Sequence, residues 1–281
     1  MTKTRGNAAT RRVVKKPARR VSFSEAPLVT LLTDFGVKDY FVGAVKGVIL
    51  SANPAVRIVD ITHEIPAQDI EAAAFTLLAA VDSFPAGAIH VAVVDPGVGS
   101  SRKPLIVTAG AQFFVGPDNG IFSYVMKDDV VVHEATNTAY FRKPLSQTFH
   151  GRDVFAPVAA ALSNGVKPES LGQRIEEWVT LPSLKPKKSR DAIEGRIIHI
   201  DRFGNCVTNL TREFVNEDNP PSINVGRTRV ESFRRFYGEM RGAGDKPFAI
   251  WGSAGFLEIS VENKSAAELL KVKRGDKVVL S

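Results

Sequence analysis

Two different patterns of hydrophobic residues divide this chain. From Leu28 to about residue 184, short apolar runs alternate with segments such as 41–50, in which apolar residues recur at helical spacing. After residue 192 the apolar runs are short and closely spaced, with one short helical segment among them. The first pattern predicts a parallel or mixed sheet covered by helices on both faces, and the second predicts a small β-barrel or sandwich.

The individual elements follow from these patterns and from capping and turn residues. In the first region, strands are predicted at Leu28–Asp34, Arg57–Ile61, Ala88–Asp95, Leu105–Ala109, Phe113–Val115 and Val130–His133. Helices are predicted from a cap at Asp39 to about Leu50, from a cap at Asp69 to Ala80, near Gly120–Met126 and near Val154–Leu162. In the second region, strands are predicted at Gly195–Ile200, Cys206–Leu210, Thr228–Phe233, Phe248–Trp251, Phe256–Val261 and Lys277–Leu280, with a helix near Ala266–Leu270.

The predicted fold class is therefore α/β with two domains. Residues 28–184 are predicted to form an N-terminal α/β domain with a mostly parallel central sheet, and residues 193–281 a smaller C-terminal β-barrel or sandwich domain. Residues 185–192 form a polar run with a proline, which is typical of a linker. Residues 1–27 have almost no apolar periodicity and are predicted to be a basic disordered extension.

Composition and charge narrow the class of protein. With 281 residues, 44% hydrophobic and 24% charged, the chain has the composition of a globular protein. The net charge of +7 comes from residues 1–27, which hold eight basic residues and only Glu25 as an acidic one. Without them, basic and acidic residues are equal in number, so no nucleic-acid binding is predicted for the folded body. The basic extension leaves organelle targeting or binding to a polyanion open.

Membrane insertion, export and disulfide bonding are not expected. No stretch approaches the roughly 20 apolar residues that span a bilayer, and the N-terminal residues contain no apolar run typical of a secretion signal. Cys206 is the single cysteine, which excludes an intrachain disulfide and a cysteine-rich zinc site. A cytoplasmic protein is the expectation.

Aspartates that end apolar runs are the first candidates for chemistry. Asp34, Asp60 and Asp95 each follow a predicted strand, and the carboxyl ends of parallel strands meet at one edge of a sheet, where α/β proteins bind ligands. Any one of them could simply cap a turn. Together they favour a site at that edge.

The glycine-rich segment after Asp95 is not typical of a phosphate-binding loop. It lacks both the third glycine of a dinucleotide fingerprint and the Lys-Ser/Thr pair of a P-loop, and Pro104 argues against a helix there. Gly97 and Gly99 are expected instead to turn the backbone so that Arg102 approaches Asp95.

Packing explains three of the five histidines, which lie in or near predicted strands: His90, His133 and His199. His63 lies in a loop, and His150 precedes a helix that Asp153 could cap, so this last segment has a structural as well as a catalytic interpretation. No compact ligand spacing supports a metal site made from these two histidines and the aspartates. The Gly-x-Ser-x-Gly pattern of serine hydrolases is absent.

Six short motifs occur in a characteristic order between Leu28 and the C-terminal end. They are Leu32-Thr33-Asp34-Phe35-Gly36, Asp60-Ile61-Thr62-His63, Val94-Asp95-Pro96-Gly97-Val98-Gly99, Gly116-Pro117-Asp118-Asn119-Gly120, Thr148-Phe149-His150-Gly151-Arg152-Asp153 and Asp201-Arg202-Phe203-Gly204-Asn205. Together they resemble the S-adenosyl-L-methionine hydroxide adenosyltransferase family, whose relatives include fluorinating and chlorinating enzymes that use the same substrate.

The resemblance implies a homotrimer that binds substrate between the larger domain of one subunit and the smaller domain of its neighbour. It implies that Asp95, Arg102 and His150 hold and activate water, and that Asp34 binds the ribose. The contacts that it implies from the second domain are Asp201, Phe203, Asn205 and Ser253. Ala254 departs from the halogenating relatives, which carry an arginine there, so the residues that bind the methionine carboxylate are not assigned.

The implied reaction is hydrolysis of S-adenosyl-L-methionine to adenosine and L-methionine, without a metal or redox cofactor. A carboxylate and an imidazole can accept hydrogen bonds from the attacking water, whereas a halide beside Asp95 would be repelled. Two alternatives remain at this point: a halogenase that gives 5′-halo-5′-deoxyadenosine, and a nucleoside-binding module without turnover. The connection from Gly99 to Phe113 is too short for the extra loop of the fluorinating relatives.

Overall fold

A computed structural model describes residues 26–281, apart from 127–128, 191, 216–220 and 240–243. The predicted basic extension therefore lies outside the described residues, except for Ala26 and Pro27. Both of these accept a hydrogen bond from Arg57, the backbone bond to Pro27 being 2.8 Å long. No helix among the described residues is long and apolar enough to cross a membrane.

The first half of the chain forms a seven-stranded sheet with the order β2-β1-β3-β5-β4-β6-β7. Its strands are β1 (Leu28–Thr33), β2 (Arg57–Thr62), β3 (Ile89–Val93), β4 (Pro104–Ala109), β5 (Gln112–Pro117), β6 (Val131–Ala135) and β7 (Gly172–Ile175). The pairings from β2 through β1 and β3 to β5 are parallel, and those from β5 through β4 and β6 to β7 are antiparallel.

The prediction of a mostly parallel sheet is thus wrong for the half that begins at β4. A two-residue connection, Gly110-Ala111, joins β4 to β5, and both residues have positive φ angles of 57° and 64°. Such a tight turn reverses the chain within one hairpin, so β4 and β5 must pair antiparallel. The described sheet is mixed.

Helices cover both faces of this sheet, as predicted. They are α1 (Phe41–Ala52), α2 (Ile70–Val81), α3 (Ala156–Ser163) and α4 (Pro168–Leu171), with a 3₁₀ turn at Thr138–Tyr140 and a π-helical turn at Gly151–Phe155. Apolar residues of α1 and α3 pack on one face of the sheet, and those of α2 pack on the other. This burial of both faces explains the nearly continuous apolar strands.

Two helix predictions differ from the structure. Asp69 caps α2 as predicted, accepting a 3.0 Å hydrogen bond from the Ala72 N–H, whereas α1 begins after Tyr40 without a side-chain cap, so the cap at Asp39 is wrong. The helix predicted near Gly120–Met126 is also wrong, since this segment forms successive turns. Its buried residues Ile121, Phe122 and Val125 have the spacing of one face of a helix, which explains the wrong prediction.

The second half of the chain forms a nine-stranded, nearly barrel-shaped sheet. Its strands are β8 (Lys187–Lys188), β9 (Ile193–Ile200), β10 (Cys206–Thr211), β11 (Ile223–Val225), β12 (Thr228–Val230), β13 (Ser232–Arg234), β14 (Phe248–Trp251), β15 (Phe256–Ser260) and β16 (Lys277–Leu280), and α5 spans Ala266–Leu270. The single strand predicted at Thr228–Phe233 is wrong. At Glu231 the chain passes from the first strand of the sheet order to the last, because β12 pairs with β11 and β13 pairs with β14.

The two sheets meet across α2. Phe75 of this helix stacks on His199 of β9 with ring centroids 4.8 Å apart. Ion pairs flank this contact, with Arg274 Nη1 2.6 Å from Asp69 and Arg196 Nη2 3.0 Å from Glu71. The second sheet is therefore held against the helix that covers the first.

Candidate active site

The edge of the first sheet brings Asp95 and Arg102 together. Asp95 follows the carboxyl end of β3, and Arg102 precedes β4, which runs in the opposite direction, so both residues lie at the same edge. Gly99 in the loop between them has a φ angle of +80°, and a Cβ atom there would lie 2.4 Å from the Gln147 carbonyl oxygen. Only glycine allows this loop to pack against the segment that leads to His150.

Arg102 is bonded to both of its predicted partners. Its Nε donates to Asp95 Oδ1 at 3.0 Å, and its Nη2 donates to Asp95 Oδ2. The same Nη2 lies 2.8 Å from His150 Nδ1. The side chains of Asp95 and Arg102 are only 6% and 10% exposed, and the guanidinium lies 5.1 Å from the ring centroid of Phe155. The structure thus joins the three residues in one hydrogen-bonded group.

The arginine also fixes the proton of the imidazole. A guanidinium has no acceptor, so His150 Nδ1 must accept this hydrogen bond and the proton of the neutral ring must be on Nε2. Burial lowers the pKa of His150 below its ordinary value of 6.5, and the charge of Arg102 lowers it further. Nε2 is buried and has no hydrogen-bond partner among the described residues. It is therefore a donor that is available to a bound molecule.

Local packing holds His150 in place. The residue immediately precedes the π-helical turn, a feature that is frequent at functional sites. Asp153, inside this turn, is fully buried, and it accepts a 2.9 Å hydrogen bond from the Ser146 N–H while Arg152 pairs with it at 2.7 Å. The expectation that Asp153 caps the helix is wrong, because its carboxylate instead secures the preceding loop.

Asp34 lies at the carboxyl end of β1, at the same edge, and is partly exposed. Its Oδ2 accepts a 2.8 Å hydrogen bond from the Gln68 N–H. The turn that carries it is braced by His63, whose carbonyl accepts from the Gly36 N–H at 2.8 Å and whose Nδ1 lies 2.8 Å from Thr33 Oγ1. These contacts fix the backbone around Asp34.

Asp60 does not join the site. It lies within β2 rather than after it, with Oδ2 2.6 Å from Lys46 Nζ and Oδ1 3.1 Å from His63 Nε2. Partial burial would raise the pKa of Asp60, but the hydrogen bonds from Lys46 and His63 outweigh it and lower the value. Of the three aspartates expected at this edge, Asp34 and Asp95 follow the carboxyl ends of their strands, and Asp60 does not.

The second sheet carries the remaining predicted residues. Asp201 Oδ1 accepts from the N–H groups of Phe203 and Asn205, at 2.9 and 2.8 Å, and its Oδ2 accepts from Asn205 Nδ2 at 2.8 Å. The Phe203 ring is 76% exposed, and Ser253 is exposed between β14 and β15. Among the described residues, no hydrogen bond or ion pair joins this group to Asp34 or to the Asp95 group.

The other histidines pack as predicted. His90 is fully buried, with Nδ1 2.7 Å from Thr30 Oγ1, and burial lowers its pKa to about 4. His133 is buried in β6, and His199 stacks on Phe75. Within the described ranges, no three His, Cys, Asp or Glu side chains are grouped in a way that could hold a metal ion.

Sequence reasoning missed the contacts that support the site. Phe155, which lies under the Arg102 guanidinium, was part of a predicted helix and carried no functional signal. The sequence indicates His63 as a loop histidine and a conceivable metal ligand, but not as a partner of Asp60, three residues before it, beside which its ring lies. The contact of Phe155 with Arg102 joins distant segments, whereas that of His63 with Asp60 is local.

Comparison with known proteins agrees with the motifs. Residues 29–172 match the SAM hydroxide adenosyltransferase N-terminal domain, and residues 195–279 match the corresponding C-terminal domain. The chain therefore belongs to the SAM hydroxide adenosyltransferase family.

Individual relatives and structures support the same assignment. A protein of Thermus thermophilus named (R)-S-adenosyl-L-methionine hydrolase is 39% identical over 88% of this chain and 96% of its own length. A fluorinase of an Actinoplanes species is more distant, at 25% identity over 66% of this chain and 72% of its own length. The crystal structure of an uncharacterised conserved protein from Thermotoga maritima has a TM-score of 0.83 at 35% identity, covering 90% of this chain and 99% of that protein.

Proposed function

We propose that this protein hydrolyses S-adenosyl-L-methionine to adenosine and L-methionine, with water attacking carbon 5′ of the adenosyl group. The observation that carries the proposal is the hydrogen-bonded group at the sheet edge, in which Arg102 binds both Asp95 and His150. The Thermus thermophilus relative that matches over 96% of its own length is named (R)-S-adenosyl-L-methionine hydrolase, which supports the same reaction.

The leaving group decides which catalytic groups are needed. Carbon 5′ is bonded to a sulfonium, so methionine departs as a neutral thioether and needs no general acid, metal ion or redox cofactor. The enzyme must hold a water oxygen in line with the C–S bond and provide an acceptor for its proton. One water is consumed and one proton is released in each turnover.

Asp95 and His150 take complementary roles towards this water. Asp95 accepts a hydrogen bond from it and receives its proton as the C–O bond forms. His150 Nε2 donates to one lone pair of the water, because Nδ1 is engaged by Arg102, and the second lone pair is left for attack. The imidazole is thus an orienting donor, in contrast to the acceptor expected from the sequence.

Substrate binding is assigned to both sheets. Asp34 binds the ribose hydroxyls, while Asp201, Phe203, Asn205 and Ser253 of a neighbouring subunit contact the adenine and methionine ends in a homotrimer. Two observations support a site shared between subunits: the Phe203 ring is 76% exposed, and no hydrogen bond joins the two groups within the described part of one chain.

The proposal includes the division of the chain into domains, the role of the N-terminal extension and the location of the enzyme. An N-terminal α/β domain at 28–184 and a C-terminal β-barrel domain at 193–281 are joined by a linker at 185–192, in which β8 pairs with β9. Supporting this division, the two matched family regions lie on either side of residues 173–194. The basic extension at 1–27 has no part in the reaction, and the enzyme acts in the cytoplasm.

Product analysis tests the reaction. Purified protein is incubated with S-adenosyl-L-methionine in ¹⁸O-labelled water, with and without chloride, and the products are separated by chromatography and weighed by mass spectrometry. Hydrolysis at carbon 5′ gives adenosine with one ¹⁸O atom and unlabelled methionine. A chloride-dependent 5′-chloro-5′-deoxyadenosine would identify a halogenase, and binding without any product would identify a non-catalytic module.

Asp34→Ala is expected to raise the KM for substrate roughly 10- to 100-fold, with a smaller change in kcat. A carboxylate that accepts hydrogen bonds from ribose hydroxyls contributes about 1.5–3 kcal/mol to binding, because such bonds are charge-assisted. Isothermal titration calorimetry with the substrate measures the affinity directly. Asp95→Asn and the double variant Asp95→Asn/Asp34→Ala are compared, so that turnover does not disturb the measurement.

Asp34→Asn is the matched variant for this experiment. It keeps an oxygen that can accept from the Gln68 N–H and removes only the charge, so it separates ribose binding from support of the loop. Affinity close to wild type in both variants would remove Asp34 from the binding site.

His150 is expected to be a neutral imidazole with its proton on Nε2 in the active enzyme. Its pKa lies below the ordinary value because of burial and the charge of Arg102, so the fall of kcat that its protonation causes should occur at lower pH than an exposed imidazole would give. Because the unfolded imidazole binds its proton at higher pH than the folded one, stability also falls on the acid side. Circular dichroism is therefore recorded at each pH to show that the protein is still folded when its rate is measured.

Nitrogen-15 NMR of the imidazole decides the tautomer independently of the rate. The His150 signals are assigned by their loss in His150→Gln, and Nε2 should show the shift of a protonated ring nitrogen at neutral pH. A proton on Nδ1, or a pKa above 6.5, would contradict the role assigned to Arg102.

A further inference from the structure

One strand separates the two strands that carry Asp95 and Arg102. In the sheet order β3-β5-β4, Asp95 follows β3 and Arg102 precedes β4, while β5 lies between them. The chain leaves β5 at Pro117, at the same edge. Asp118 and Asn119 therefore emerge between the two halves of the catalytic ion pair.

These two residues bind the backbone on both sides. Asn119 Nδ2 donates to the Val94 carbonyl at 2.8 Å, one residue before Asp95. The Asp118 N–H donates to the Lys103 carbonyl at 2.9 Å, one residue after Arg102. The pairing register between β3 and β5 ends at Val91, so the Asn119 amide links the strands where backbone pairing has stopped.

The turn that carries Asn119 is itself fastened. Asn119 Oδ1 accepts from the Ile121 N–H at 3.2 Å, and Asp118 Oδ1 accepts from the Val179 N–H at 2.8 Å. Gly120 has a φ angle of +95°, and a Cβ atom there would lie 3.0 Å from the Leu181 side chain. Both polar atoms of the Asn119 amide are thus held, and the adjacent Asp118 N–H is bonded to Lys103, so this turn couples the start of β4 to the end of β3.

We propose that Asn119 is a positioning residue that sets the distance and angle between Asp95 and the Arg102–His150 pair. It touches neither water nor substrate, and it acts by holding the Val94–Asp95 backbone against the segment that carries Arg102. The inference rests on the proposed hydrolysis. A displacement of about 1 Å at a reacting group lowers rates by about 100-fold, so the effect should appear in kcat rather than in KM.

Asn119→Ala and Asn119→Asp test this role. Both are expected to lower kcat about 10- to 100-fold with KM changed less than about threefold. The aspartate keeps an oxygen for the Ile121 N–H but cannot donate to Val94, so it separates the link to β3 from formation of the turn. Normal kcat in Asn119→Asp would mean that only the turn matters, and it would overturn the proposal.

Asn137 provides a matched control. Its amide makes the same two kinds of contact, donating to the Ser170 carbonyl at 2.9 Å and accepting from the Ala139 N–H at 3.2 Å, but it contacts none of the catalytic residues. Asn137→Ala and Asn137→Asp should leave kcat unchanged. Comparable losses of kcat in the Asn137 variants would show a general effect of stability and contradict a specific role for Asn119.

A double-mutant cycle with Asp95→Asn completes the test. If Asn119 acts through Asp95, Asn119→Ala should have almost no further effect on kcat once Asp95 is replaced. Independent, multiplicative losses would overturn the proposal. Failure of the proposed function is distinguishable, because then the wild-type enzyme itself would give no labelled adenosine.

Discussion

Asp95→Asn should lower kcat by about 10²- to 10⁴-fold, the contribution typical of a general base. The asparagine has nearly the same shape and can still accept a hydrogen bond from Arg102 Nε, but it cannot take the proton of the attacking water. It also leaves the guanidinium, 10% exposed, without its counter-charge. KM should change much less, because Asp95 acts on the water and not on the substrate. Steady-state kinetics with separate kcat and KM values measures the effect.

Glu71→Gln is a suitable control for this loss. Glu71 also pairs with an arginine, at 3.0 Å from Arg196 Nη2, but it links the two sheets, and among the described residues it has no hydrogen bond or ion pair with Asp95, Arg102 or His150. The substitution should leave kcat unchanged and lower the melting temperature slightly. If Asp95→Asn retained near-normal turnover while folded, Asp95 would have no role as proton acceptor, and the proposed mechanism would be wrong.

Periodicity predicted the layered first half of the fold because buried strands and amphipathic helices leave strong local signals. The prediction of a mostly parallel sheet was wrong because the hairpin between β4 and β5 turns on Gly110-Ala111, and an alanine with positive φ gives no sequence signal. The short strands β7, β8 and β11 were missed for a related reason. Their pairing depends on partners that are distant in sequence.

The sequence predicts those residues of the candidate site that lie next to the ends of strands. Asp95 and Arg102 flank a glycine-containing loop, so local reasoning could bring them together, whereas His150 was joined to them only by resemblance to a family. Neither approach predicted the proton on His150 Nε2, because that depends on which nitrogen faces Arg102. Asn119 was part of a motif without a role, since its function requires knowing that β5 lies between β3 and β4.

Mixing two inactive variants should restore activity if the site lies between subunits. Asp95→Asn disables the first sheet's contribution, and Asp201→Ala removes the carboxylate that organises the turn carrying Phe203 and Asn205. Each variant alone should have very little activity. In a closed ring of three chains that contains both variants, one interface always pairs an intact first sheet with an intact second sheet. Mixed trimers should therefore have about one third of wild-type activity.

The doubly substituted chain, Asp95→Asn with Asp201→Ala, is expected to behave in the opposite way. It distinguishes a site shared between two subunits from a site contained in one subunit. In trimers of one wild-type and two doubly substituted chains, a shared site is never intact, so no activity is expected. A site contained in one chain would give about one third of wild-type activity in these trimers and none in the trimers of two single variants. A charged tag on one chain type lets ion exchange separate the trimers with one wild-type chain from those with two, and light scattering verifies their mass. Activity in the doubly substituted mixture, together with inactivity of the singly substituted one, would place the whole site within a single subunit.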